Sequence, residues 1–408
     1  MTGAALWGVG VLLLPALAIA IDGFAGVYSR DRTYAFGSVR SDGFRLLVPI
    51  WGDIRYLTNA GALARYGQRV TLCTTGDETE LFYAALERIA QAHGFCVFTD
   101  QPLRACQARR SHRATAAAAR STGGTTRDRL IRHALAGVTE PYVIPIDADS
   151  VPAQPFDVLA GEVQRRNLDL ASVRIVPANP RASVLTRLQA LEYRMAMQIK
   201  FVAPWMLSGA CHAARTEVLA DVMNRHSLFF QGNDVETGLI ADARGYRVGH
   251  VPFEVLSDVP ERFRPWLRQR LAWAGGQFRL FIVNIRFVRW HPFMWIYGTG
   301  VTYLALILRW QSFAHSTWRV PAAAAGYLAL VLYLYLHRGG GKWWALAMPA
   351  YTLVLSFVLT PLGVIWYTKM ALTARNWGII RPHRRPARRA AAATREEQAG
   401  GALEGVAS

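Results

Sequence analysis

Cysteine is scarce in this chain. Four occur in 408 residues (Cys73, Cys96, Cys106 and Cys211), and none stands at metal-ligand spacing from another. That excludes a disulfide framework and a zinc finger and suits a reducing compartment. Acidic residues are also the minority: 28 Asp and Glu against 46 Lys and Arg leave a net charge of +18. So basic a balance admits a nucleic-acid partner. The chain nevertheless lacks zinc-finger spacing, a basic-region zipper and a stacking-aromatic RNA motif, so no nucleic acid is expected. Long apolar runs, in contrast, are present but unevenly placed. Hydrophobic residues make up 52% of the chain and pile up at the N-terminus and over 291–370. Basic residues flanking such runs fit the cytoplasmic side of a membrane.

Ala4 to Ile21 is long enough to span a bilayer. Ala18-Ile-Ala20 resembles a signal-peptidase site, but no positive charge precedes the run, whereas Arg30, Arg32 and Arg40 follow it. The pattern predicts an uncleaved anchor over 1–24 with its C-terminal side in the cytoplasm. A soluble α/β domain is expected over 41–262. Over 263–290, Arg, Trp, Leu and Phe recur at helical spacing, which predicts amphipathic helices on a membrane surface or ordinary surface helices. Apolar spans follow at 292–308, 320–336 and 343–359 within a transmembrane and interfacial region 291–381. The last span is expected to break at Pro361 and return to the inner surface, because Arg375, Arg381, Arg384, Arg385, Arg388 and Arg389 favour that side. Residues 382–408 are basic, then poor in anything that packs, and read as a disordered tail. A multi-pass protein of the cell membrane is expected, contacting lipid and keeping its soluble domain in the cytoplasm.

Within the soluble part, strands are predicted at 44–50, 68–75 and 95–98, and helices at 60–66, 78–93 and 126–136. A further strand, Tyr142-Val-Ile-Pro-Ile, ends in Asp147-Ala-Asp149. Alternating strands and helices imply a mostly parallel sheet with ligands at its carboxyl edge. Asp77 and Asp147 both stand at such ends. If the strand alternation runs on, Asp147 and Asp149 share one side, and paired carboxylates suit Mg²⁺ or Mn²⁺ holding a diphosphate. A polar turn capped by Asp149 is the plainer alternative.

Several stretches together resemble the membrane-integrated family 2 glycosyltransferases with a GT-A (Rossmann-like) catalytic domain, the group of hyaluronan, chitin and cellulose synthases and nodulation chitooligosaccharide synthases. Val48-Pro49-Ile-Trp51-Gly-Asp53 is similar to that family's opening motif. Asp77 falls where the family places an acid against the nucleotide base. Gly123-Gly124-Thr-Thr-Arg127-Asp128 is similar to its Gly-rich basic segment, and Asp147-Ala-Asp149 to its Asp-x-Asp. Ser208-Gly209-Ala210 matches the acceptor-side segment. Gly232-Asn-Asp234-Val-Glu236-Thr-Gly-Leu resembles the motif that carries the base, and Gln269-Arg270-Leu-Ala272-Trp273 resembles Gln-x-x-Arg-Trp. The resemblance covers 44–381. Three departures stand out: Gly52-Asp53 replaces Asn-Glu, Ala272 replaces the motif Arg, and Trp377-Gly-Ile-Ile-Arg381 replaces Trp-Gly-Thr-Arg.

The resemblance implies inverting attack of an acceptor hydroxyl on a nucleotide sugar, expected to be a UDP-sugar. A hydroxyl needs a positioned base, and Asp234 takes that role unless it merely caps the helix that follows. Asp149, with Asp147 sharing or contacting the nucleotide, holds the metal. Pro49, Asp53, Asp77, Arg127, Gln269 and Arg270 line the donor side. Ser208, Gly209, Ala210 and Trp273 line the acceptor side, Trp273 by stacking unless it is an interface anchor. The expected activity is a processive synthase that elongates, and possibly exports, a β-linked polysaccharide. Its spans are few for a pore, so a homo-oligomer or secretion partner is expected. Single transfer to a lipid-linked acceptor, and a binding or transport protein without catalysis, are the alternatives.

Overall fold

The computed structural model describes residues 36–100, 123–226, 232–285 and 343–373, with a few isolated positions besides. Four strands, β1 (Phe44–Pro49), β2 (Val70–Thr75), β3 (Cys96–Asp100) and β4 (Tyr142–Pro145), pair in parallel in the order β3-β2-β1-β4. β1, β2 and β4 are buried on nearly every residue, as inner parallel strands require, while β3 at the edge alternates between partly buried and exposed residues. Leu46 and Val48 of β1 enter one core with Leu86 and Phe156, while Leu47 between them enters a second with Leu130 and Leu219. The sheet then continues past β4. In chain order the later strands are β5 (Val151–Pro152), β6 (Leu170–Pro177), β7 (His212–Arg215) and β8 (Val248–Ser257). In space β7 inserts antiparallel between β4 and β6, and β8 and β5 complete the edge. The expected α/β, Rossmann-like sheet is therefore present but mixed, with three antiparallel pairings beyond β4.

The helices in chain order are α1 (Ala60–Leu63), α2 (Glu80–His93), α3 (Gly123–Ala134), α4 (Phe156–Arg165), α5 (Val184–Ile199), α6 (Thr216–Met223), α7 (Asn233–Ala243) and α8 (Phe263–Val283). Local chemistry sets several ends. Thr79 accepts from Phe82 N at 3.2 Å to start α2, and Gly94 closes it in a left-handed conformation. Ser183 and Thr186 form a reciprocal capping box on α5. The stretch 263–285 is one helix over Phe263–Val283, where two helices were expected. Its Trp266, Arg270, Gly275, Gly276, Arg279 and Leu280 are buried, so two of the arginines that made it look interfacial point inward.

After residue 342, a short 3-10 segment, Trp343–Ala347, leads into α9 (Met348–Leu353), a π-turn (Val354–Leu359) and α10 (Thr360–Thr373). The expected break at Pro361 is absent. Proline lacks an N–H and crowds the preceding turn, and the wide π-turn just before it absorbs that misfit without ending the helix. Thr360 Oγ1 donates to Leu355 O at 3.1 Å across the widened turn. Among the described residues no helix is long and apolar enough to cross a membrane. The expected anchor 1–24, the spans 292–308 and 320–336, the tail 382–408 and Cys106 lie outside the described residues, apart from isolated positions. Cys73, Cys96 and Cys211 are free thiols.

Helix α7 is pressed onto the segment before β7. A Cβ added at Gly238 would lie 1.7 Å from the Trp205 carbonyl oxygen, so no side chain fits without moving backbone. Ile199, Ala203, Trp205, Leu239 and Leu280 make the apolar contact around it. Gly238→Ala is expected to destabilise the protein by about 3 kcal/mol or more, read as a lower unfolding midpoint in denaturant.

Candidate active site

The acids of Asp147-Ala-Asp149 are not on a strand. β4 ends at Pro145, Ile146 makes one bridge to Cys211, and 147–150 form a turn closed by Ser150 N donating to Asp147 O at 3.0 Å. The turn is held from both sides. Buried Asn59 donates through Nδ2 to Asp147 O at 2.9 Å and to Ser150 O at 2.8 Å. Asp147 N donates to Ala210 O at 2.9 Å. The turn, and not a strand alternation, brings the two acids together. Burial, and then the negative charge of Asp147, raise the pKa of Asp149 above the ordinary carboxylate value. The residue nonetheless opens to solvent: its carboxyl is ringed by protein atoms but not sealed.

Arg127, at the start of α3, joins this turn to everything else. Its Nε donates to Asp147 Oδ1 at 2.7 Å and its Nη1 to Asp128 Oδ1 at 3.1 Å, while Nη2 donates to the Gly209 carbonyl. Burial opposes the charge, but Asp147 and Asp128 outweigh it and raise the pKa of the guanidinium. Asp128 Oδ2 in turn accepts from Asn233 Nδ2 at 2.7 Å. Asn233 opens α7, and Asp234 follows it. Gly232, with φ +92° and pressed against the Gly276 carbonyl, occupies the N-cap position. Asp234 is therefore not the cap, and its carboxyl is left to the site. Burial raises its pKa, with Asp128 adding to the rise and Val235 N, Arg127 and Lys200 opposing it. The Asp234 carboxylate faces the Gly209 α-carbon, where a Cβ would lie 3.6 Å from Oδ2. Ser208, Gly209 and Ala210 thus stand between the Asp147 turn and Asp234.

The remaining expected residues are less central. Pro49 is buried at the end of β1 beside Cys73. Asp53 caps a short turn and pairs with Arg55 at 2.7 Å, which lowers its pKa. Asp77 is exposed. Its neighbour Glu78 is the acid that turns inward, accepting from Gly52 N at 3.0 Å and from Thr75 Oγ1. Arg270 is buried and held by Glu192 at 2.8 Å, with its guanidinium 4.3 Å from the Trp273 ring centroid. It does not stand free in place of the arginine missing at Ala272. Gln269 is half-buried, and its Oε1 has no hydrogen-bond partner among the described residues. Trp273 is 41% exposed, with Tyr193 6.4 Å away between centroids.

Asn59, Glu78, Glu192 and Tyr193 were not legible as site residues. Tyr193 lies close enough to Arg270, Glu192, Asp234 and Asp149 to feel all four charges, although burial is the main cause that pushes its phenol up to about 12. The only signal for it was an aromatic at helical spacing in an ordinary helix.

The arrangement has one stability consequence. Arg127→Gln leaves buried Asp128 and the Asp147 turn without their counter-charge, an expected loss of about 3–5 kcal/mol. Arg225→Gln, which removes a surface pair with Asp221, should cost within about 1 kcal/mol. Denaturant unfolding of the two variants side by side checks the contrast.

Known proteins agree with this part of the chain. The family described as glycosyl transferase family group 2 matches residues 142–374. N-acetylglucosaminyltransferase of Bradyrhizobium diazoefficiens is 28% identical over 152 residues, 34% of this chain and 31% of that protein. The protein of the same name from Rhizobium meliloti is 28% identical over 154 residues, 34% of this chain and 36% of that one. The chain thus spans about a third of the length of these relatives. Among solved structures, glucosyl-3-phosphoglycerate synthase from Mycobacterium tuberculosis, in complex with Mn²⁺, uridine-diphosphate-glucose and phosphoglyceric acid, gives a TM-score of 0.35 at 15% identity over 59% of this chain and 82% of that chain. That likeness is too loose to carry an argument. The family match alone takes in more than half of the 408 residues, and on it the chain belongs to glycosyl transferase family group 2.

Proposed function

We propose that the chain transfers a sugar from a UDP-sugar, with UDP-N-acetylglucosamine the first donor to try, to a hydroxyl acceptor with inversion, building a β-linked glycan at a GT-A site. The observation that carries this is the pairing through Arg127 of the Asp147–Asp149 turn with the N-terminus of α7, where Asp234 is presented uncapped. The N-acetylglucosaminyltransferase relatives support the sugar.

Asp234 is the base. Half-buried and beside Gly209, it takes the proton of an acceptor hydroxyl laid over the Ser208-Gly209-Ala210 segment. Trp273 offers exposed ring surface to an acceptor sugar, with Arg270 fixed over the ring by Glu192. Asp147 is held by Arg127, which leaves Asp149 as the carboxylate free to meet a cation. No group of three or more His, Cys, Asp or Glu is gathered for a metal among the described residues. Two neighbouring carboxylates still suit Mg²⁺ or Mn²⁺, which are content with one or two protein oxygens plus phosphate. Asp149, with Asp147 beside it, would hold such an ion, which would supply positive charge to the leaving diphosphate. Pro49, Asp53 and the Asp77–Glu78 turn lie at the ends of β1 and β2, where the nucleotide would sit.

Placement at a membrane belongs to the same proposal. Trp343, Leu346, Val358, Leu362, Ile365 and Leu372 of the C-terminal helical run are exposed, as are Phe263 and Ile282 of α8 and Ile285 just after it. An apolar surface of that extent supports burial in lipid or against a second chain. The domain limits and the multi-pass topology rest on the apolar pattern of the sequence.

In lipid with Mn²⁺, UDP release from one UDP-sugar with a sized glycan product is expected. A long product supports chain elongation, and a single sugar on a lipid supports the simpler transfer. Asp234→Asn should lower kcat by about 10²–10⁴-fold. A variant as fast as wild type contradicts the assignment of the base.

A further inference from the structure

A second buried cation stands beside the site. Lys200 follows the last residue of α5 and is 2% exposed. Lysine is almost never this buried without a reason, because taking an ammonium out of water is costly. Its partners are specific. Nζ donates to Ser208 Oγ at 2.5 Å and to Val173 O at 3.0 Å. The Val173 carbonyl is available because β7 pairs with β6 only as far as Ser172 opposite His212, so residue 173 lies just past the end of that ladder. This carbonyl anchors one side of the ammonium, and the acceptor-side serine takes the other.

We propose that Lys200 is a positioning residue for the acceptor half of the reaction: it pins the Ser208-Gly209 turn beside Asp234 and supplies the buried positive charge that faces that carboxylate. This rests on reading Asp234 as the base. A lysine used only to fill space would be replaceable by an apolar side chain of similar length and would not need two oxygen partners for its ammonium. The surrounding charges agree. Burial pushes Lys200 down to about 7, while Asp234 and then Cys211 hold it up. From the sheet side, His212 is pushed down to about 3 and His250 well below its usual value, in both cases chiefly by burial, with Lys200 adding to the effect. Both rings stay neutral, so Arg127 and Lys200 are the cations that act on Asp234. From α3, Arg127 and Asp128 act on Asp234 with opposite signs, so removing Lys200 shifts the balance toward the protonated acid.

The sign follows directly. Without Lys200, Asp234 keeps its proton to higher pH, so the acid limb of activity moves up. Because Lys200 loses its own charge above neutrality, the difference fades in base. Steady-state kinetics across pH 5.5–9, with the donor the wild-type protein turns over and Mn²⁺ present, should compare Lys200→Met, Ser208→Ala and Asp234→Asn. Lys200→Met is expected to lose about tenfold in kcat at pH 6 and about twofold at pH 8.5, with a raised acceptor KM and an unchanged donor KM. Ser208→Ala is expected to raise acceptor KM without moving the acid limb, which separates pinning from charge.

An equal loss at every pH in Lys200→Met means packing alone and overturns the proposal. If Lys200→Met does not fold, an unchanged acceptor KM in Ser208→Ala overturns it instead. Asp234→Asn keeps the two readings apart. Inactive Asp234→Asn with a wild-type profile in Lys200→Met sinks this inference and spares the base, whereas active Asp234→Asn sinks both.

Discussion

A buried guanidinium sets the geometry of the site. Arg127 is 12% exposed at its side chain and reaches three oxygens: the Asp147 carboxylate, the Asp128 carboxylate and the Gly209 carbonyl. Charge in a low-dielectric interior is tolerated only while it is paired. None of these partners can therefore drift without stranding a charge or an orphaned carbonyl. Asp128 extends the constraint to Asn233 and so to the first turn of α7. Four chain segments far apart in sequence are thereby locked into one unit. The Asp147–Asp149 turn, the 208–211 segment, α3 and the N-terminus of α7 hold their relative positions before any substrate arrives, and that preorganisation is what a transfer site needs.

The helical C-terminal part is fastened to the same unit by further buried charges. Arg279 of α8 pairs with Glu236 of α7, both essentially without solvent. Arg270 engages both carboxylate oxygens of Glu192 of α5, and Glu192 Oε2 also accepts from the Tyr351 hydroxyl of α9. The Trp266 indole N–H donates to that hydroxyl at 3.2 Å. Ala274 and Gly275 lie against Gly363 of α10, close enough that no larger residue fits there. Movement of the C-terminal helices is thus linked to α5 and α7, the helices that carry Tyr193 and Asp234. Pro361 sits within this run without breaking it, because the π-turn before it yields.

Where local chemistry decides structure, the sequence was readable. The apolar runs of β1, β2 and β4, the capped helix 80–93 and the acids at the carboxyl edge followed from pattern and composition. Long-range partners were not readable. Nothing in Arg268-Gln-Arg270 says that Glu192, 78 residues earlier, will hold the second arginine. A helix dense in Arg and Trp looks interfacial until its arginines find buried acids, as Arg270 and Arg279 do. Asp77 and Glu78 are adjacent acids in a turn, and only the backbone decides which faces Gly52. For Asp234, expected as the base, the alternative of a helix cap is settled only by Gly232, which occupies the cap position. The antiparallel insertion of β7 was invisible because its four residues, His-Ala-Ala-Arg, carry no strand signature of their own.

The central claim is that the Asp147–Asp149 turn is the donor end of the site and Asp234 the acceptor end. Calorimetric titration of UDP into the protein in lipid, with and without Mn²⁺, tests it most directly. Wild type and Asp234→Asn should bind UDP with similar affinity and only when Mn²⁺ is present, and Asp149→Asn should lose this binding while keeping its fold. UDP binding that ignores Mn²⁺, or that survives Asp149→Asn and disappears in Asp234→Asn, would contradict it.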